Sequence, residues 1–186
     1  VLVAEDYAPN QAVLRLQLKR DFRGYRTPML SRRIHRRMAL HGSASIADYA
    51  EFLRADPQEA RALVRDLSIG VTAFFREPDA FHALERVAIP DLVAQRRRGS
   101  DGERPVRVWV PGCSTGEEAY SLGMLLFEQL AAAGLPTHLQ IFATDADPQC
   151  VEKASAGLYP ESAAAELSAE RLGRFFVKKK GGYEVK

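Results

Sequence analysis

The chain has 186 residues and a mass of 20.6 kDa, enough for one sizeable domain or for a small and a medium one. Hydrophobic residues make up 46% and charged residues 27%, with both signs mixed and a net charge of +2, which excludes a disordered chain and leaves the average charge silent about partners. The two cysteines, Cys113 and Cys150, sit in no CxxC or CxxH pattern, no metal-ligand spacing is present, and no apolar run approaches a membrane span. A reducing, cytoplasmic setting without direct membrane insertion is therefore expected.

Residues 1–20, VLVAEDYAPNQAVLRLQLKR, predict a strand at Val1–Ala4, a turn over Asp6–Asn10 and a helix carrying Leu14 and Leu18. Residues 19–37 then hold eight basic side chains (Lys19, Arg20, Arg23, Arg26, Arg32, Arg33, Arg36 and Arg37) against the single acid Asp21. The segment 26–40 predicts a helix with Leu30, Ile34 and Met38 on one face, Arg33 and Arg37 beside that stripe, and Arg32 and Arg36 away from it. Ser45 predicts an N-cap for a helix from Ile46, Asp56-Pro57 restarts a helix, Gly70-Val71-Thr72 interrupts, and Glu77-Pro78 opens another with Phe81, Leu84, Val87 and Ala88 inward. These pieces predict a helical domain over 21–94, followed by a polar linker over 95–105, QRRRGSDGERP.

The character changes at residue 106. Val106–Val110 predicts a buried strand, the helix beginning at Glu117 carries Ala119, Leu122, Leu126 and Leu130, and Leu139–Thr144 predicts a second strand before a short helix from Pro148. That order means a βαβ unit with parallel strands. A further helix near Leu167–Phe176, capped at Ser168, precedes a hairpin turning at Gly181-Gly182. The chain starts without Met and ends on GGYEVK with no closing element, so both ends are expected to be cut, leaving an uncovered strand edge.

The stretch VPGCSTGEE carries the chemistry. Gly112 and Gly116 bracket the turn from strand to helix, where a missing side chain lets a ligand approach the backbone. The spacing matches neither G-x-G-x-x-G nor the P-loop, and a carboxylate at Glu117 opposes a pyrophosphate and suits a cation. Asp145, at the end of the second strand, is placed to accept hydrogen bonds from ribose hydroxyls. A positively charged nucleoside ligand without phosphate fits this pair, and S-adenosylmethionine is such a molecule. The plainer alternative is that the glycines shape a helix start, that Glu117 favours the helix N-terminus by its charge, and that Asp145 and Asp147 cap the next helix.

Several ordered segments resemble one family: DFRGYRTPMLSRRIHRRM, VTAFFREPDAF, RVWVPGCSTGEEAYSLGMLLFE, IFATDADPQCVEKASAGLYPES and LSAERLGRFFVKKKGGYEVK. They look like the chemotaxis receptor methyltransferases, the protein-glutamate O-methyltransferases. The resemblance implies an α/β chain in which a small N-terminal helical domain precedes the first half of a Rossmann-like S-adenosylmethionine-dependent methyltransferase domain over 106–186. It implies cofactor binding by Thr72, Arg76, Glu117 and Asp145, with Arg76 also catalytic, and Gly112 joins this cofactor set on the loop's own chemistry. It implies that Arg32, Arg33, Arg36 and Arg37 face the acidic helices of the cytoplasmic domain of methyl-accepting chemotaxis receptors. Gly70 stands where the family often has Asn, and the family's later strands are missing, so this chain alone is expected to be inactive or very weak. Residues 1–20 resemble the start of a response-regulator receiver domain, with Glu5 and Asp6 as the acidic pair; neither phosphotransfer nor metal binding is expected there.

Other readings stay open on the residues alone. Phe74 and Phe75 suit an adenine stack or an interdomain core, Thr72 suits a ligand contact or a turn cap, and Arg76 suits a carboxylate or an interdomain salt bridge. Cys113 reads as a small buried filler, and His35, His41, His82 and His138 as scattered surface or half-buried residues. The basic helix suits an acidic protein partner, nucleic-acid phosphates or plain solvent; nucleic acid is not expected. A non-catalytic module binding acidic helical partners is the alternative to the enzyme.

Overall fold

Helix starts in the N-terminal part fall where the sequence supplies a proline or a capping side chain. The computed structural model describes residues 25–68, 70–98 and 104–186 together with Ala12, Val13, Arg15 and Phe22; the expected strand at Val1–Ala4, the Glu5–Asp6 pair, Lys19, Arg20 and Arg23 lie outside the described residues. The helices are α1 (Thr27–His41), α2 (Ile46–Ala55) and α3 (Pro57–Leu67). Pro28 sits in the first turn of α1, where its missing N–H costs nothing. Ser45 Oγ accepts from Asp48 N at 3.1 Å, and Asp56 Oδ1 accepts from Gln58 N at 2.8 Å. The stripe Leu30, Ile34 and Met38 is buried with Tyr49, Leu53, Leu63 and Leu67, and Val13 and Phe22 join that core.

A buried acid ties these helices together. Glu59 of α3 is 4% exposed. Its carboxylate accepts from Arg37 Nε at 2.8 Å and from Tyr49 Oη at 2.6 Å, and lies 2.7 Å from His41 Nε2. Burial opposes its ionisation, yet the hydrogen bonds from Arg37 and Tyr49 and the charges of Arg37 and His41 hold the Glu59 carboxyl below the usual carboxylate range. The same bond raises the Arg37 guanidinium, while burial and then Glu59 push the Tyr49 phenol up.

The chain divides at Ile69–Gly70, not at the polar stretch after residue 94. The second unit opens with α4 (Pro78–Ala83), a π-helical turn at Leu84–Ala88 and α5 (Ile89–Arg98). These belong with β1 (Val106–Pro111) and α6 (Glu117–Ala132) because Phe81 and Ile89 share one buried cluster with Val106, Leu125, Leu126 and Leu130. The expected inner face is corrected here too. Val87 is 66% exposed and Ala88 is also outside, because the underwound π turn rotates Ile89, in their stead, to the side of Phe81.

Strand β1 pairs in parallel with β2 (Leu139–Thr144), in register from Val106↔Leu139 to Pro111↔Thr144. Helix α6 connects them, giving the βαβ unit the sequence predicts. It is buried on two sides: Leu125, Leu126 and Leu130 meet α4, α5 and β1, while Met124 meets Phe74, Tyr159 and Phe176. The opposite sheet face is open, with Trp109 68% exposed and Arg107 stacked 5.3 Å over the Phe142 ring. Helix α7 (Pro148–Ala156) leads to a small antiparallel sheet of β3 (Leu158–Tyr159), β5 (Gly182–Val185) and β4 (Phe176–Lys179), in the order β3-β5-β4. Between β3 and β4 lie a 3-10 turn at Glu161–Glu166 and α8 (Ala169–Phe175), capped by Ser168. The hairpin is the one the sequence predicts; β3 escapes prediction because two residues show no period. A Cβ on Gly182 would stand 1.9 Å from Tyr159 O, so that crossing of β5 over β3 admits only glycine. Among the described residues, no helix is long and apolar enough to cross a membrane.

Replacing Glu59 with Ala is expected to destabilise the protein by about 2 kcal/mol, since it takes from half-buried Arg37 its principal partner and from Tyr49 its acceptor. The lowered carboxyl stabilises the fold fully above its unfolded value of about 4.3, and this is lost as pH falls through the lower folded value. Urea denaturation across that pH window checks both effects, and the acid-dependent component should vanish in the variant.

Candidate functional site

The handover from β1 to α6 is built from backbone that ordinary residues avoid. Gly112, Ser114 and Gly116 have φ of 69°, 48° and 100°, so the loop folds tightly enough to bring its amides round the C-terminal end of the strand pair. Cys113 N donates to Thr144 O at 3.0 Å, which fastens the loop to the end of β2. Asp145 then grips it with both oxygens: Ser114 N donates to Oδ2 at 2.8 Å and Asp147 N to Oδ1 at 2.8 Å. Asp147 is the helix cap, accepting from Gln149 N at 3.0 Å, whereas Asp145 is the brace. On the other side of the loop, the Glu117 carboxylate accepts from Thr115 Oγ1 at 2.8 and 2.7 Å. Glu117 and Asp145 are thus anchored to neighbouring residues of one loop, and both are half-buried.

The floor of the loop is Tyr159 of β3. Its hydroxyl donates to Thr115 O at 2.7 Å, and its ring packs edge-on against Phe74, with ring centroids 4.8 Å apart. Burial raises the Tyr159 phenol, with Glu117 adding to it, so it stays a neutral donor. A Cβ on Gly116 would come within 2.8 Å of that hydroxyl and 2.9 Å of Ala154 Cβ.

The electrostatics of the loop are negative. Burial raises the Cys113 thiol, and Asp145 and Glu118 raise it further; burial likewise raises Cys150, with Asp147 and Asp145 adding to it. Cys113 is therefore a buried neutral thiol and not a nucleophile. Nothing lies within 4 Å of where a Cβ on exposed Gly112 would stand. An anionic diphosphate is opposed at such a loop, whereas a cationic group and hydroxyl donors are welcome. The donor set fits S-adenosylmethionine, which carries a sulfonium, an ammonium and ribose hydroxyls.

The segment 72–77 packs against α6 and against Tyr159. Thr72 is half-buried, and Gly70, two residues earlier, is exposed with nothing near its Cβ position. Phe74 N donates to Glu166 Oε2 at 2.8 Å and Phe75 N to Ser121 Oγ at 2.9 Å. Phe74 is buried among Tyr159, Met124 and Phe176, and Phe75 sits against Phe81 with the Arg171 guanidinium 4.0 Å above its ring. Phe74 is therefore a core residue of the second unit and is not free for an adenine stack, while Phe75 is half-buried, with Phe81 and Arg171 against its ring. Arg76 is exposed, and its Nη1 donates to Val71 O. Phe75 lines a cavity of about 200 Å³ together with Phe81, His82, Glu85 and Arg171.

On the first unit, Arg32 and Arg36 are exposed and Arg33 is half-buried. Arg37, expected with them, turns inward instead: it holds Glu59, and its Nη1 lies 3.8 Å from Asp66 Oδ2. Sequence reasoning missed Ser121, Tyr159 and Glu166. The only signal was at Ser121, a polar residue one turn after Glu117 among Ala119, Leu122, Met124 and Leu125 of an apolar helix.

Two family models match the chain: the CheR methyltransferase all-alpha domain over residues 5–68 and the CheR methyltransferase SAM binding domain over 70–186. The border between them falls where the structure divides. Among curated relatives, an uncharacterized 104.1 kDa protein in the hypE 3'region of Rhodobacter capsulatus is 41% identical over 94% of this chain and 18% of its own length. The chemotaxis protein methyltransferase of Escherichia coli K12 is 32% identical over 86% of this chain and 52% of its own, and chemotaxis protein methyltransferase 2 of Pseudomonas aeruginosa is 34% identical over 80% and 50%. The chain thus spans about half the length of these chemotaxis relatives, and less of the first.

Gly116→Ala is expected to cost about 1–3 kcal/mol, from a left-handed backbone forced on a side chain and from the clash with Tyr159. Scanning calorimetry should show a melting point several degrees lower. An unchanged melting point would mean that the loop has room to spare.

Proposed function

Because the chain belongs to the CheR methyltransferase family, we propose that the protein containing it methylates glutamate side chains on the cytoplasmic helices of chemoreceptors, with S-adenosylmethionine as donor. The observation that carries this is the phosphate-repelling loop at the end of β1, where Glu117 and Asp145 are both fixed to consecutive loop residues. Glu117, Asp145 and the open backbone at Gly112 are the groups that would hold the cofactor, with Thr72 and Arg76 on the facing segment. When bound, S-adenosylmethionine supplies a methyl group already activated on a positively charged sulfur.

The residues of the chain have little proton chemistry to perform. A glutamate side chain is ionised at neutral pH and needs no base. The work is alignment, holding the carboxylate oxygen in line with the carbon it will attack. Arg76 is the group for that task, since a guanidinium grips a carboxylate through two parallel N–H bonds. It is exposed and bound only through Val71 O among its described contacts, so it can turn to an incoming side chain. Arg32, Arg33 and Arg36 of α1 supply a cationic face for acidic receptor helices, and Arg37 backs them from inside.

The deciding experiment is calorimetric titration of the full-length protein with S-adenosylhomocysteine, followed by methyl transfer from labelled S-adenosylmethionine to a receptor cytoplasmic fragment. Micromolar binding and base-labile labelling of the receptor are the expected results. A protein that binds the receptor without binding the nucleoside is an interaction module, and one that prefers duplex DNA across a salt series is neither. Glu117→Gln keeps the Thr115 hydrogen bond and removes the charge; it should weaken S-adenosylhomocysteine binding about tenfold. Arg76→Ala should abolish most turnover at an unchanged melting point, and undiminished turnover would take Arg76 out of the site.

A further inference from the structure

Two neighbouring backbone amides ahead of Arg76 are each held by a side chain from a different element. Phe75 N donates to Ser121 Oγ at 2.9 Å, and Ser121 Oγ donates in turn to Glu117 O at 2.7 Å. Phe74 N donates to the Glu166 carboxylate at 2.8 Å. Ser121 is fully buried, at 0% exposure, and is with Glu59 one of the two buried polar side chains among the described residues. A hydroxyl in that position costs free energy unless both its donor and acceptor capacities are used, and here they are. One oxygen atom therefore joins the segment that carries Arg76 to the turn of α6 that carries Glu117.

The backbone around Arg76 needs such holding. Phe75 and Glu77, on either side of it, both lie in the left-handed region, with φ of 50° and 59°. Side-chain-bearing residues adopt that conformation only where their surroundings impose it. The point from which Arg76 projects is thus set by the backbone frame before and after it, and its exposed side chain is held only by the bond from Nη1 to Val71 O among its described contacts. The frame is fixed by the two amide bonds and by the rings of Phe74 and Phe75, seated among Tyr159, Phe176 and Phe81.

We propose that Ser121 and Glu166 are positioning residues of the methyl-transfer site, which hold Arg76 and Thr72 in register with Glu117. This rests on the cofactor reading above. Neither residue touches the reacting groups; each acts through the amide it accepts from. Ser121 couples directly to the loop, since its hydroxyl bonds the carbonyl of Glu117 itself. Glu166 comes from the 3-10 turn after β3, whose Tyr159 also supports Thr115. The site is therefore clamped from both α6 and the small sheet.

The variants separate positioning from mere folding. Ser121→Ala removes the hydroxyl but leaves the helical bond to Glu117 O, which uses the backbone N–H of residue 121, and alanine favours the helix. Glu166 is exposed, so Glu166→Ala removes an acceptor without opening the core, and Glu166→Gln keeps an oxygen able to accept from Phe74 N. All three are made in the full-length protein, and S-adenosylhomocysteine affinity, kcat and KM for S-adenosylmethionine, and the melting point are measured. Ser121→Ala and Glu166→Ala should each lower kcat/KM about tenfold and weaken S-adenosylhomocysteine binding several-fold, with Glu166→Gln within about twofold of the parent. The combined Ser121→Ala/Glu166→Ala variant should lose less than the product of the single losses, because both act on one segment. Parental affinity and kcat/KM in Ser121→Ala and Glu166→Ala overturn the proposal, as does a Glu166→Gln variant as impaired as Glu166→Ala. If Ser121→Ala fails to fold, the Glu166 pair decides by the same criteria. A parent protein that does not bind S-adenosylhomocysteine at all overturns the cofactor reading and this inference together; a parent that binds while the variants match it overturns this inference alone.

Discussion

Asp145 takes one backbone amide on each of its oxygens, and the rest of the second unit is arranged around that grip. Without it, the Ser114 amide of a left-handed turn would have no acidic partner, and the loop would be tied to the end of β2 through the Cys113 amide alone among the described bonds. Its second amide, from Asp147, sets up the cap of α7. Each carboxylate oxygen keeps a lone pair after one such bond, so a brace can also serve as a ligand group. The structural and functional readings of this acid are thus two uses of the same atoms. The same holds at Glu117, which sits in the first turn of α6 and accepts the Thr115 hydroxyl.

The two units use charge in opposite ways. In the first, a carboxylate is taken out of water and compensated from several sides, by Arg37, Tyr49 and His41. Nothing is left over for a ligand, and the gain is a specified packing of three helices. In the second, the acids at the loop are only half-buried and have no cationic side chain bonded to them among the described contacts. Burial holds the two thiols nearby in their neutral form, and the charge of Asp145 adds to that at both. A compensated acid holds a fold, while an uncompensated one at an open loop calls for a cation.

What could be read from the sequence was whatever depends on neighbours along the chain. The stripe of Leu30, Ile34 and Met38, the caps at Ser45 and Asp56, and the strand–loop–helix order around Gly112 all follow from local spacing. The tight turn at Gly112 and Gly116 was legible for the same reason, since its residues are contiguous. The inward turn of Arg37 was not, because Glu59 stands 22 residues away and a helical wheel places Arg37 at the margin of the stripe. Nor were the supports of the loop and of the segment before Arg76: Tyr159 reaches Thr115 across 44 residues, Ser121 reaches Phe75 across 46, and Glu166 reaches Phe74 across 92. The unit boundary was misjudged because composition marks a polar stretch after residue 94, whereas the burial of Phe81 and Ile89 decides where α4 and α5 belong.

The π turn at Leu84–Ala88 has a consequence for how this chain tolerates changes of length. Phe81 and Ile89 are eight positions apart, which in an unbroken α-helix is about 2.2 turns and would leave them on diverging faces. The wider turn absorbs one surplus residue and restores their alignment. Shortening the segment by a single residue would place the two side chains seven apart, on one stripe of an ordinary helix, so the hydrophobic contact survives. What would not survive is the bulge beside His82 and Glu85, where the cavity under Arg171 opens. Homologues one residue shorter here are accordingly expected to share the packing of this chain and to lack its hollow.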